Sequence, residues 1–143
     1  MNGQDFLPLA RRLATGADEA DWRTAVSRAY YAAFHVSRDF LTHLKFRVPR
    51  GDRAHEYLYR RLNNSTLTAV SHAADHLLDL RRLRNWADYD VTRPYPKATV
   101  LIGIDSADLI IRTLGAIAPA DRTQITDAMK DYERQIGDVT WQP

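Results

Sequence analysis

Between Trp22 and Leu44 the apolar residues Trp22, Val26, Ala29, Ala33, Val36, Phe40 and Leu44 recur every three or four positions, with no glycine or proline between them. That spacing repeats the turn of an α-helix and not the two-residue alternation of a half-buried strand. The stretch therefore specifies a helix of about six turns, capped by Asp21 or by Asp18 before it. A helix that long needs partners of similar length to cover its stripe, so the fold it permits is a helical bundle.

The remaining sequence agrees. A short first helix is expected from about Asp5 to Leu13, ended at Thr15-Gly16. Phe46 to Asp52 reads as a loop broken by Pro49 and Gly51. A third helix, about Ala54 to Leu62, stops at Asn63-Asn64, and Ser65 or Thr66 caps a fourth, about Leu67 to Trp86. Pro94 and Pro96 exclude helix from Asp90 to Pro96. A fifth helix, about Ala98 to Ile117, is the most apolar; Pro119 ends it and opens a polar sixth, about Asp121 to Ile136. No strand, internal repeat or low-complexity segment is apparent. The expectation is an all-α protein, an antiparallel up-and-down bundle of about four long helices plus short ones. Its 143 residues suit a single domain.

Composition narrows the chemistry. The chain has no cysteine, which excludes a disulfide framework, a thiolate zinc site and a cysteine nucleophile, and suits a cytoplasmic protein. No apolar run is long enough to span a bilayer, and the start lacks the layout of a signal peptide, so no membrane role is expected. The net charge is only +2, yet it is unevenly spread. Lys45 to Arg61 holds six basic residues against two acids, and Arg81 to Lys97 five against two, whereas the chain from Pro119 onward carries five acids and three bases. Two basic stretches and an acidic tail are consistent with one basic face. Arginine outnumbers lysine 17 to 3, and arginine is the better phosphate fork.

The fourth helix is the informative one. At about 100° per residue, Val70, Ala73, Ala74, Leu77 and Leu78 share a face on which Arg81, Arg84 and Asp88 also fall. A buried charge there needs a partner or water. Arg84 and Asp88, four residues apart, can pair with each other. The pair is either a structural tie at a helix end or the wall of a polar cleft open to a phosphate-bearing ligand or a second subunit. On the second helix Arg28, Tyr31, His35 and Asp39 share one side, which spacing alone reads as a solvated face. Tyr30, Tyr31 and Phe34 make this helix aromatic on nearly all sides, which favours a second packing surface, a dimer interface among the options. His72 and His76, with Asp75 and Asp79, have metal-compatible spacing but face away from the core, and a solvated polar face is the preferred reading; no metal and no cofactor is expected. His43 and His55 flank the basic loop, as surface residues or as phosphate contacts.

The run Ser27-Arg28-Ala29-Tyr30-Tyr31-Ala32-Ala33-Phe34-His35, followed some fifty residues later by Leu83-Arg84-Asn85-Trp86-Ala87-Asp88-Tyr89-Asp90, resembles the HEPN family of small helical domains, in its stand-alone branch. His55 fits the same pattern. The resemblance spans about Ala20 to Leu114; residues 119–143 form a polar C-terminal helix and tail outside it. It implies an antiparallel bundle that forms a homodimer. Many members are toxins that cut RNA without a metal and are neutralised by a nucleotidyltransferase antitoxin; others bind nucleotides or nucleic acids without known catalysis. In cutting members an Arg, a polar residue and then a His four to six positions on meet their copies across the dimer. Arg84 and Asn85 match the first two places. The third is not matched, because positions 88 to 91 read Asp88, Tyr89, Asp90 and Val91.

That departure matters chemically. Cleavage by the RNA 2′-hydroxyl needs a proton acceptor, a proton donor and positive charge on the phosphate oxygens. A histidine near pKa about 6.5 does proton work at neutral pH, and an aspartic acid near about 3.9 does not. Asp88 beside Arg84 would orient the guanidinium, and His35 is the candidate substitute if the second helix lines the same cleft. The residues expected to act are therefore Arg84 and Asp88, supported by Asn85, with Arg28, Tyr31, His35, Arg81 and Tyr89 binding nucleic acid or nucleotide. The expected function is a dimeric nucleic-acid- or nucleotide-binding protein, the toxin-type partner of a nucleotidyltransferase. The alternative is a non-catalytic protein-interaction module of a defence or toxin–antitoxin system.

Overall fold

The computed structural model describes all 143 residues, Met1 to Pro143. A 3-10 turn, Gly3–Asp5, leads into α1 (Phe6–Ala14), followed by α2 (Glu19–His43), α3 (Arg53–Asn63), α4 (Thr68–Tyr89), α5 (Ala98–Gly115) and α6 (Pro119–Ile136). The chain is all-α; its only strand-like pairing is one antiparallel bridge between Phe46 and Trp141. No helix is long and apolar enough to cross a membrane.

α2 is the axis of the bundle and packs against α1, α3, α4 and α5. Its Ala25, Ala29, Ala32 and Ala33 are fully buried, and these small side chains let neighbouring helices approach closely. Gly103 on α5 serves the same purpose. A Cβ there would stand 3.3 Å from Val26 and 3.4 Å from Leu80, so α2, α4 and α5 meet where only a hydrogen fits comfortably. The aromatic belt of α2 is consumed inside the chain, with Tyr30 and Phe34 both buried in one continuous core fed by all six helices. The second packing surface inferred from this helix is thus met by the chain itself. α4 runs antiparallel to α2: Arg23 reaches Asp90, Ser27 reaches Asp88 and Tyr31 reaches Arg84.

Several boundaries differ from expectation by a few residues. Neither Ser65 nor Thr66 is the N-cap of α4; that position is Leu67. The buried Ser65 hydroxyl instead accepts from the Leu67 N–H at 3.3 Å, tying the turn before the helix. α4 also continues past Trp86 to Tyr89, because Arg23 satisfies its end. The Arg23 guanidinium donates to the carbonyls of Trp86, Ala87 and Asp90 at 3.0–3.1 Å and to that of Arg93, while its Nε donates to Glu19. These are the acceptors a helix C-terminus leaves open, and a cation is the charge that suits them. α5 stops at Gly115, two residues short of Ile117. Asp18, not Asp21, takes the N-cap position of α2, through its backbone carbonyl and without a side-chain bond.

α6, although long, lies beside α3 at the edge of the bundle. Proline at its first turn and Gly137 at its end, with φ of 67°, delimit it as helix-end chemistry requires. Fully buried Glu133 then draws the tail back. It accepts from Arg61 at 3.1 Å, from the Thr140 and Trp141 N–H groups at 2.9 and 3.0 Å, and from the Thr140 hydroxyl. Asp138 adds a second carboxylate to Arg61 at 3.0 Å. The acidic tail therefore neutralises part of the first basic stretch.

Candidate functional site

The seam between α2 and α4 is built around Arg84, which is 8% exposed. Its side chain leaves the apolar face of α4 one turn after Leu80 and meets the polar edge of α2. One terminal nitrogen donates to the Tyr31 hydroxyl at 2.5 Å and lies 3.5 Å from that of Tyr89; the other donates to Asn85 Oδ1 at 3.0 Å. Nε stands 2.9 Å from Asp88 Oδ2, an ion pair whose N–H is not aimed along a hydrogen bond. The guanidinium also sits 5.7, 5.1 and 5.3 Å from the ring centres of Tyr30, Tyr31 and Tyr89. Asp88 accepts from Ser27 at 3.1 Å, and Arg28 donates to Ser27 at 3.3 Å. Arg28 itself is held between rings, 5.2 Å from Phe6 and 5.0 Å from Tyr31.

Six of the sequence-derived residues thus come together: Arg84, Asp88, Asn85, Arg28, Tyr31 and Tyr89. The side of α2 that spacing reads as solvated is in fact half-covered, and Tyr31 is the bridge to α4. The seam is closed at Arg84 and opens outward, since the Asp88 side chain is 28% exposed and Tyr89 is 71% exposed.

Arg81 and His35 go elsewhere. His35 stacks on Phe6 at 5.9 Å, and Gly3 presses so close that a Cβ there would meet its Cβ. Burial lowers the pKa of His35, with Arg38 and Arg28 acting in the same direction and Asp39 against. Its ring lies 6.3 Å from that of Tyr31 and makes no contact with Arg84. The proposed substitution of His35 for the motif histidine therefore has no geometric support.

Arg81 turns to the α3 side, into a cleft of about 160 Å³ lined with His55, Glu56, Tyr59 and Arg60 of α3, Leu77 and Leu78 of α4, and Tyr30 of α2. His55 is the histidine that both arginines reach electrostatically. Burial lowers its pKa first, and Arg81 and Arg84 lower it further, against a smaller opposing effect of Asp52. Burial also raises the pKa of Tyr30, whose hydroxyl stays protonated. The Tyr30 hydroxyl and His55 Nδ1 share a 2.5 Å hydrogen bond, and with Tyr30 as its donor the neutral ring carries its hydrogen on Nε2. Tyr30, Ser27 and Arg23 carry much of this geometry without standing out in the sequence. Tyr30 and Ser27 lie inside the conspicuous run around Arg28, but only the crossing angle of α2 and α4 shows which of its residues face inward.

His72, His76, Asp75 and Asp79 line an open surface hollow, and no three His, Asp or Glu side chains anywhere converge on a common point. No protein-family model, curated protein or solved structure matches the chain.

Proposed function

We propose that the chain is a HEPN-like protein that binds nucleic acid or nucleotide at the outer edge of the α2–α4 seam, as a homodimer and as the toxin-type partner of a nucleotidyltransferase. The observation that carries this reading is Tyr89. Its ring is 71% exposed, yet its inner edge rests against Arg84, with Ser27 and Arg28 next to the neighbouring Asp88. An open ring backed by a guanidinium is what a base stacks on while its phosphate is neutralised. Val91, Leu101 and Ile102 are exposed at the same end of the α4–α5 hairpin, apolar surface that a second copy would cover. Every group touching Arg84 is a tyrosine, an amide or a carboxylate, so the seam supplies charge and stacking without a proton donor poised near neutrality. Binding, rather than cleavage, is the function these groups support.

A second reading has its own observation. Arg84 spends its donors within one chain, as a structural tie does, and in that case the exposed apolar end recruits a protein partner. Labelled single-stranded RNA incubated with purified protein in EDTA separates the readings. Salt-sensitive binding that weakens at least tenfold in a Tyr89→Ala, Arg28→Ala variant supports the binder. Absence of binding leaves the interaction module. Cleavage abolished by Arg84→Ala would establish a nuclease instead.

A further inference from the structure

We propose that the cleft between α3 and α4 is a binding site for the phosphate group of a small phosphate monoester, held by Arg81, His55 Nε2–H and Arg60. This site lies on the opposite side of Tyr30 from the seam and does not depend on nucleic-acid binding there.

The donor set is the first reason. Arg81 makes no ion pair and no hydrogen bond, and its Nε is buried without a partner. A buried guanidinium nitrogen left unpaired costs free energy and is rare enough to need a cause. Tyr30 occupies His55 Nδ1, so Nε2 is the ring nitrogen left for a ligand, and it donates when Tyr30 is the donor of their shared hydrogen bond. Arg60 borders the same cleft, and the single acid there, Glu56, is engaged by Arg60 Nε at 2.9 Å. The lining thus carries two arginines against one acid, and Arg84 adds positive potential through Tyr30.

Shape and surroundings are the second. The cleft, about 160 Å³, has room for a phosphate and its first carbon. Leu77 and Leu78 form an apolar wall, which excludes water and strengthens charge interactions inside. Donors approach from two helices: Arg81 from α4, His55 and Arg60 from α3. The tetrahedral oxygens of a phosphate can meet donors arriving from two helices at once, and its higher charge matches the arginines better than a planar, singly charged carboxylate. The remainder of the ester would lie outward against Tyr59, which is half-buried at the rim.

The test uses the full chain and three probes: inorganic phosphate, ribose 5-phosphate and acetate. Titration is followed by calorimetry and by the imidazole NMR signals of His55, with those of exposed His72 as an internal control. The expected result is saturable binding of both phosphates, a His55 signal that moves with saturation while that of His72 does not, and little response to acetate. Arg81→Leu should weaken phosphate binding at least tenfold while keeping the helical circular-dichroism spectrum, and Arg81→Lys should retain part of it. The Tyr89→Ala, Arg28→Ala variant should bind phosphate as the parent does, so loss of RNA binding and loss of phosphate binding fail separately. Acetate binding as tightly as phosphate, an unmoved His55 signal, or unchanged affinity in a folded Arg81→Leu variant would overturn the assignment.

Discussion

Arg61 and Arg84 are both buried arginines set among tyrosines and paired with carboxylates, and they differ in where the carboxylate ends. The main partner of Arg61 is Glu133, which is 0% exposed and accepts three further hydrogen bonds from the C-terminal tail. The partner of Arg84 is Asp88, whose side chain is 28% exposed beside an open tyrosine. The first arrangement is closed on all sides and can only hold the tail and α6 to α3. The second is closed inward and open outward, so the same chemistry leaves an edge that another molecule can use.

Glu133→Ala, which leaves Arg61 only the half-exposed Asp138 and frees three donors of the tail, should cost about 3–5 kcal/mol by urea denaturation, as loss of one partner of a buried pair does. Arg84→Ala should cost less, about 2–3 kcal/mol, because Asp88 keeps Ser27 and can turn to water. Equal losses would mean that the seam is as sealed as the staple. Arg81→Leu sharpens the contrast with both: removing a half-buried guanidinium that has no partner should change stability by no more than about 1 kcal/mol, with a gain the expected sign. Tyr89→Ala should move stability by less than about 0.5 kcal/mol, as exposed positions do, while RNA affinity falls.

The smallest effect is in pH. His35 and His55 both have pKa values lowered from 6.5 by burial, so below about pH 6.5 the unfolded chain binds protons that the folded chain resists. Their contribution is present in full above that pH and is lost as pH falls through the lowered values. His55→Gln should flatten this fall in a denaturation series between pH 7.5 and 5.5. A fall of unchanged steepness would show that His55 titrates freely.

Much of the scaffold is legible in the sequence. The apolar periodicity of residues 22–44, the prolines at 94, 96 and 119 and the Asn63-Asn64 stop locate every helix to within a few residues, because turn spacing and helix-end chemistry act locally. The pairing of Arg84 with Asp88 is legible too, being a matter of one helical turn. The extension of α4 is not, since its cause is Arg23, sixty-odd residues away. The same holds for the tail, which returns to the bundle through Glu133 and Arg61, on helices that share no sequence pattern.

The all-helical class, the order of the elements and the presence of charges on an apolar face follow from local patterns along the chain. Which charges share a seam and which part ways depends on the packed fold, which sends Arg84 to Tyr31, Arg81 to the cleft of His55 and His35 beneath Gly3. Periodicity fixes the direction of a side chain about its own helix axis, whereas its partner depends on how two axes cross. That crossing is set by the small residues at the contact, Ala29, Ala33 and Gly103, acting across the whole core.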